Sequence, residues 1–250
     1  LTRGYKAHNG VSDEAALLSK LTAAPVIVNA DRLAGARSAV DAGANVLVMD
    51  DGFQHLRLRR DFNIVLIDAT NPFGGGFRDG ACLPAGRMRE PLTALRDADA
   101  IVFTRTDHAP SEAVADLWSR IAERAPGALL ATAIHKPNAV IDEHNQAQGL
   151  ESLAGQNVFL FCGVGNPGGF RSTVESLKAH VVGIRFLDDH TTYSPTLLGD
   201  ICEEALSCGA EILLTTQKDG IKLPSSLGEV PICQLAVEME FTDGRVELLD

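Results

Sequence analysis

Two adjacent carboxylates, Asp50 and Asp51, follow an apolar run in Val46-Leu-Val-Met-Asp50-Asp51-Gly-Phe-Gln54-His55. Like charges side by side repel, and burying them without a cation is costly, so a divalent ion is their natural partner. If Val46–Met49 forms a buried strand, the pair closes its carboxyl end, where open parallel sheets bind ligands. An acid there commonly holds Mg²⁺ beside the phosphates of a nucleotide. Gln54 and His55 add polar groups to the same rim, although Asp50 and Asp51 also suit an ordinary turn with Gly52. A second run, Leu83-Pro-Ala-Gly86-Arg87-Met-Arg89-Glu90-Pro91, follows the Gly-rich stretch 71–80. Arg87 and Arg89 offer planar guanidinium forks for a phosphate, and Glu90 offers another carboxylate for a metal. Alone, this run reads first as a Pro-rich loop with solvated charges.

Three further segments carry reactive side chains. Cys162-Gly163-Val-Gly165-Asn-Pro167-Gly168-Gly169 follows an apolar run, with Asp188 and Asp189 downstream. A Gly-x-Gly-x-x-Gly after a strand is a dinucleotide fingerprint, which raises an NAD(P)-dependent oxidoreductase acting through Gly163–Gly169 as an alternative. Asn166-Pro167 is unusual where a backbone must wrap a pyrophosphate, and a plain tight turn fits the same residues. In Asp188-Asp189-His190 an acid stands next to an imidazole that it can orient as a base; the same residues also suit a capping turn. Lys218, in Thr215-Thr216-Gln217-Lys218-Asp219, can reach an anion from the end of a strand, or the threonines cap a helix. Near the start, Ser12-Asp13-Glu14 suits a helix N-cap with acids at the positive end of the dipole, and Arg3-Gly4-Tyr5 is a polar loop.

The elements that must position these residues alternate along the chain. Apolar, β-branched runs predict strands at Val26–Asn29, Val46–Met49, Ile64–Ile67 and Ile101–Phe103, with helices over Asp31–Asp41 and Ser111–Arg124. Leu129–Ile134 and Ala139–Ile141 read as separate strands of a hairpin-like linker. A second alternation follows: strands at Val158–Phe161, Val181–Arg185, Ile212–Leu214 and Ile232–Leu235, with helices from Arg171 and from Pro195, which Ser194 caps. This order predicts an α/β fold, a parallel sheet flanked by helices, with Val46–Met49 buried on both faces. The expected organisation is a core over 1–130, a hairpin-like linker over 131–154 and a smaller α/β lobe over 155–250.

Composition narrows the functions. The 250 residues are 45% hydrophobic and 22% charged, as expected of a folded globular chain. A net charge of -11, from 22 basic and 33 acidic residues, argues against nucleic acid as a partner but leaves room for a small anion at local arginines and lysines. The apolar runs are too short to span a bilayer. The five cysteines form no Cys-x-x-Cys pair, which disfavours zinc and suits reduced, buried thiols. The chain opens on Leu1 and enters a Gly- and Arg-bearing stretch directly, which reads as a piece lacking its N-terminal part.

Taken in order, Arg3-Gly-Tyr5, Ser12-Asp13-Glu14, Asp50-Asp-Gly-Phe-Gln-His55, Leu83-Pro-Ala-Gly86, Arg89-Glu-Pro91, Gly163-Val-Gly-Asn-Pro167, Asp189-His190 and Lys218-Asp219 resemble the tetraacyldisaccharide 4'-kinase family, the lipid A 4'-kinases. The resemblance implies a P-loop NTPase-like fold with a second lobe joined by a β-hairpin linker, with ATP and Mg²⁺ as partners. It implies transfer of the γ-phosphoryl group to the 4'-hydroxyl of a tetraacylated glucosamine disaccharide, at the cytoplasmic face of the bacterial inner membrane. It gives Asp13 and His190 the roles of base and orienting partner. Asp50 and Asp51 become metal- and phosphate-side acids, with Asp51 also catalytic. Glu90 supports the metal, and Gln54 lies on the nucleotide side. Tyr5, His55 and Arg89 face the sugar-phosphate head or the nucleotide. Phe73, Phe77, Arg78, Leu83, Arg87, Met88 and Arg89 are expected to form a lipid-facing rim. The family pattern also has a Gly-x-x-x-x-Gly-Lys-Ser/Thr loop, absent from these 250 residues and expected upstream, so residues 1–250 alone are expected to transfer almost no phosphate. Thr191 replaces a second His and Gln217 a Glu of the family pattern. A degenerate, non-catalytic lipid- or nucleotide-binding relative is the non-enzymatic alternative. Oligomeric state is not legible.

Overall fold

The computed structural model describes residues 1–2, 12–74, 80–189, 191–224 and 230–244. In chain order its main elements are α1 (Asp13–Leu21), α2 (Arg32–Asp41), β1 (Ile64–Asp68), β2 (Ala100–Thr104), α3 (Ser111–Ala122), β3 (Leu129–Ile141), β4 (Ala147–Gln148), β5 (Asn157–Cys162), α4 (Pro167–Ser176), β6 (His180–Phe186), α5 (Pro195–Ser207), β7 (Ile212–Thr216), α6 (Gln217–Gly220) and β8 (Ile232–Asp243). They form two compact units, one of residues 1–52 with 137–237, the other of 53–136 with 238–250. The expected alternation of parallel strands and helices is found.

In the first unit, β5 pairs in parallel with both β6 and β7, and β7 pairs in parallel with β8. Strand β5 is buried from Val158 to Cys162. One face packs Val158 and Leu160 against Val174 of α4, and the other packs Phe159 and Phe161 against Leu198 and Ile201 of α5. Side chains alternate across a strand, so an all-apolar run meets helices on both sides. Helix starts follow local chemistry. The Ser12 hydroxyl accepts from the Ala15 amide, Asp31 from Leu33 and Ala34, and Ser194 from Leu197. Helix α4 begins at Pro167 rather than at Arg171, because Asn166 caps it through the Gly169 amide and Pro suits the first helical turn.

Two predicted strands differ. Val26–Asn29 contributes only an isolated bridge between Val28 and Thr2, and Val46–Met49 is not a strand. Leu1 and Thr2 supply backbone bonds to both segments: Thr2 to Ile27 and Asn29, and Leu1 to Val48 and Asp50. Val46 and Val48 are 76% and 79% exposed, so the expected burial on both faces is wrong. Apolar composition marks a run fit for burial but does not report whether a second layer covers it.

In the second unit, β1, β2 and β3 form a parallel set. Strand β2 is wholly buried, and α3 covers it through Leu117 and Ile121. The first half of β3 meets the last residues of β8 through Thr132–Thr242 and Lys136–Glu240 hydrogen bonds. Strand β3 is continuous through Pro137, not two strands, because proline's φ suits extended backbone and costs one ladder bond. Its far end pairs antiparallel with β4 as a hairpin in the first unit.

Candidate active site

Three parallel strands of the first unit end beside one another: β5 at Cys162, β6 at Phe186 and β7 at Thr216. The segments that leave these ends converge on Asp219, whose side chain has no exposed surface. Its Oδ2 accepts from the Gly163 amide at 3.0 Å and from the Thr216 hydroxyl at 2.9 Å. Its Oδ1 lies 3.1 Å from Nζ of Lys222, in ion-pair range but without the alignment of a hydrogen bond. A buried carboxylate persists only when paired and hydrogen-bonded, and this one has both kinds of partner.

Asp13 joins this cluster from the first turn of α1, which packs on α6. Its Oδ2 is 3.3 Å from Lys222 Nζ, and its side chain is 20% exposed. Ser12 is thus a helix cap, as its position suggests, and the cap aims Asp13 at the strand ends. Tyr193 lines the same place, with Lys222 Nζ 5.3 Å from its ring centre. Burial and then the Asp219 charge push the Tyr193 phenol up, so it stays protonated. Lys218 ion-pairs with Asp189 at 2.8 Å, and Thr216 caps α6. His190 and Tyr5 lie outside the described residues.

Gly163 is glycine for a packing reason. A Cβ there would stand 2.8 Å from the Asp188 carbonyl oxygen and 3.4 Å from Asp219 Oδ1. Its amide is engaged by Asp219, while that of Gly169 is engaged by the Asn166 cap. The first glycine of the dinucleotide-like pattern, Gly163, and the Gly169 that follows the pattern therefore serve local structure.

Asp50 and Asp51 sit in a turn of the first unit, both exposed. Asp51 has φ 48°, a left-handed conformation that Asp tolerates better than most residues. Arg32, only 6% exposed, holds the turn by donating to the Asp51 carbonyl at 2.9 Å. The Asp50 amide donates to the Leu1 carbonyl at 3.0 Å. The pair therefore closes a turn, not the strand expected of Val46–Met49. Among the described residues no group of three or more His, Cys, Asp and Glu side chains is arranged to hold a metal. Two exposed carboxylates still suit Mg²⁺, which takes one or two from protein and fills its shell with water and phosphate oxygens.

The second unit carries Gln54, His55, Arg89 and Glu90. Gln54 and Arg89 are exposed; His55 and Glu90 are half-buried. Nε2 of His55 is buried without a hydrogen-bond partner among the described residues, and its carbonyl accepts from Arg60. An orphaned buried polar atom calls for a reason, and a ligand contact is one. The 82–88 loop is closed by Leu83–Met88 and Met88–Ala81 backbone bonds. Leu83 and Arg87 are exposed there. Phe73 is 6% exposed, in the core under Arg120, so it leaves the expected lipid-facing rim because α3 covers it. Phe77 and Arg78 lie outside the described residues.

Other polar groups belong to no sequence motif. Asp68, the last residue of β1, pairs with Arg105, just past β2. Burial works to raise the Asp68 carboxyl, but bonds from Thr70 and the Arg105 charge outweigh it and hold it low. Burial and then Arg105 lower the pKa of His135 on β3. Lys222 was equally outside the motifs; its i,i+3 spacing from Asp219 is the one signal it offers.

Comparison with known proteins bears on this arrangement. The family model described as tetraacyldisaccharide-1-P 4'-kinase (LpxK) matches residues 2–250. The tetraacyldisaccharide 4'-kinase of Syntrophus aciditrophicus (strain SB) is 39% identical over 238 residues, 91% of this chain and 62% of the relative. That of Anaeromyxobacter sp. (strain K) is 38% identical over 228 residues, 90% of this chain and 59% of the relative. The crystal structure of LpxK from Aquifex aeolicus in complex with ATP is similar with a TM-score of 0.68 and 27% identity, covering 99% of this chain and 75% of that one. The chain thus spans about three-fifths of the curated relatives' length.

Proposed function

The chain belongs to the tetraacyldisaccharide-1-P 4'-kinase family, and we propose that its protein transfers the γ-phosphoryl group of ATP to the 4'-hydroxyl of a glucosamine disaccharide carrying four acyl chains. The observation that carries the chemistry is Asp13, tethered through Lys222 to an acid with no exposed surface at the ends of parallel strands. A group that takes a proton from a sugar hydroxyl needs a fixed direction, and this tether supplies it. His190, next to Thr191 in sequence, is the orienting partner of Asp13. Attack by the 4'-oxygen on the γ-phosphorus breaks the bond to the β-phosphate oxygen, and ADP leaves while Asp13 accepts the hydroxyl proton.

Phosphoryl transfer otherwise rests on positioning and charge neutralisation. Asp50 and Asp51 would hold Mg²⁺. The ion, when bound, neutralises charge developing on the phosphate oxygens. Gln54 serves the nucleotide side; Tyr5, His55 and Arg89 serve the sugar-phosphate head. No phosphate-cradling Gly-x-x-x-x-Gly-Lys-Ser/Thr loop occurs among these 250 residues.

The acyl chains place the reaction at a membrane surface, proposed as the cytoplasmic face of the inner membrane. Among the described residues no helix is long and apolar enough to cross a membrane. Exposed Leu83, Arg87 and Arg89 provide an apolar and basic edge for acidic lipid. Replacing both arginines by Glu should weaken binding to acidic vesicles; unchanged binding removes that role.

The test is transfer of labelled γ-phosphate from ATP to a tetraacylated disaccharide by the complete gene product. Asp13→Ala and His190→Ala should each lower kcat by about 10²–10⁴-fold, the range for a lost acid–base group. Asp51→Ala should lose activity in step with weakened Mg²⁺ dependence. A complete gene product with no transfer overturns the function; an active Asp13→Ala overturns the base.

A further inference from the structure

Lys222 joins the site's two acids. Its Nζ lies 3.3 Å from Asp13 Oδ2, 3.1 Å from Asp219 Oδ1 and 3.4 Å from the Thr191 carbonyl oxygen, to which it donates. An ammonium has three N–H donors, and three protein oxygens surround this one. Its side chain is 15% exposed and lies against the Tyr193 ring. The charge is therefore directed at the protein, which disfavours a role as a direct phosphate ligand.

The cluster is graded in rigidity. Asp219 is fixed by backbone and hydroxyl donors, Lys222 is fixed by Asp219, and Asp13, the most exposed of the three, is reached last. Buried ion pairs are poor devices for stability alone, because desolvation consumes most of their attraction. This one instead fixes direction at its partly exposed end.

We infer that Lys222 is a positioning residue for phosphoryl transfer: anchored on Asp219, its ammonium holds the Asp13 carboxylate in the orientation needed to take the hydroxyl proton. The inference rests on the reading of Asp13 as the base.

The experiment compares Lys222→Met and Lys222→Arg in the complete gene product, each in the wild-type and the Asp13→Asn background. Misplacing a catalytic group by an ångström costs about 100-fold, so Lys222→Met should lose about that much kcat. KM for ATP should stay within about threefold, since the lost interaction acts on the chemical step. Lys222→Arg, which keeps the charge, should recover kcat to within about tenfold of wild type. In the Asp13→Asn background, Lys222→Met should cause no further loss, because residues acting as one unit are not additive. Equal fractional losses in both backgrounds would overturn the inference, as would an undiminished kcat in Lys222→Met while Asp13→Asn is impaired. Full activity in Asp13→Asn would instead overturn the base reading itself. If Lys222→Met does not fold by circular dichroism, Asp219→Asn carries the test. It removes the anchor's charge, and its kcat loss should likewise vanish in the Asp13→Asn background; a loss that persists there overturns the inference.

Discussion

Asp219→Ala should be among the most destabilising single changes in this chain. The carboxylate it removes has no exposed surface and accepts from the Gly163 amide at 3.0 Å and the Thr216 hydroxyl at 2.9 Å. A buried amide left without an acceptor costs about 1–3 kcal/mol. Lys222, 15% exposed and 3.1 Å from the lost oxygen, would keep its charge without its anchor. Breaking a buried pair by removing one partner costs about 3–5 kcal/mol. The two penalties share one carboxylate and do not simply add, so about 4 kcal/mol is expected in total. At about 2–4 °C per kcal/mol for a chain of this size, the melting temperature should fall by about 8–16 °C. Asp219→Asn keeps a neutral acceptor for Gly163 and should cost about half as much. Urea and thermal unfolding followed by circular dichroism measure the loss, and amide exchange at Gly163 localises it. An Asp219→Ala variant within about 0.5 kcal/mol of wild type, the range of ordinary surface changes, would refute the reasoning.

Asp68 gives a prediction with a definite pH sign. Its folded carboxyl is held low by Thr70 and Arg105 against the opposing effect of burial. The stabilisation is therefore full above the ordinary carboxylate value of about 3.9 and disappears as pH falls through the lower folded value. Asp68→Asn should cost about 1 kcal/mol in urea unfolding at pH 7 and nothing once wild-type Asp68 is itself protonated; a pH-independent difference contradicts this. Burial pushes the Cys162 thiol up to about 12 and the Cys233 thiol up to about 11. Iodoacetamide at pH 8 should thus modify exposed Cys208 first and spare both until the protein unfolds, as peptide mass mapping would show. Gly163→Ala, whose Cβ would lie 2.8 Å from the Asp188 carbonyl oxygen, should destabilise by about 1–3 kcal/mol, the cost of overpacking. A neutral melting temperature would show that the loop moves aside freely.

What the sequence discloses depends on how local its physics is. Ser12 and Ser194 are recognisable as caps because a cap needs only one side-chain oxygen beside the first turn. The strands Ile101–Phe103 and Val158–Phe161 are legible because they are covered on both faces. Val46–Met49 has the same apolar letters, yet Val46 and Val48 are 76% and 79% exposed, since cover comes from elsewhere in the chain. The expected metal-side pair, Asp50 and Asp51, is likewise visible as two adjacent letters, whereas the buried Arg32 that holds the turn is not.

The Asp219 cluster shows why motif and mechanism part company. Lys218 attracts attention as a lysine just past a strand, but it faces outward to Asp189 at 2.8 Å. Its neighbour Asp219 and, three residues on, Lys222 turn inward, because a helical start after β7 sends successive side chains to different faces. Gly163, Thr191, Tyr193 and Asp13 then reach the cluster from other parts of the chain. No spacing rule unites them. What unites them is that parallel strands deliver their carboxyl ends to one edge, so loops distant in sequence share one space. A charge buried at that edge needs a partner, and its partner, Lys222, reaches Asp13 at 3.3 Å. Stability and orientation therefore pull on the same atoms: Asp219→Asn should weaken the fold and misdirect Asp13 together, whereas Asp13→Asn, at the exposed end of the chain of contacts, should abolish direction while leaving Asp219 anchored.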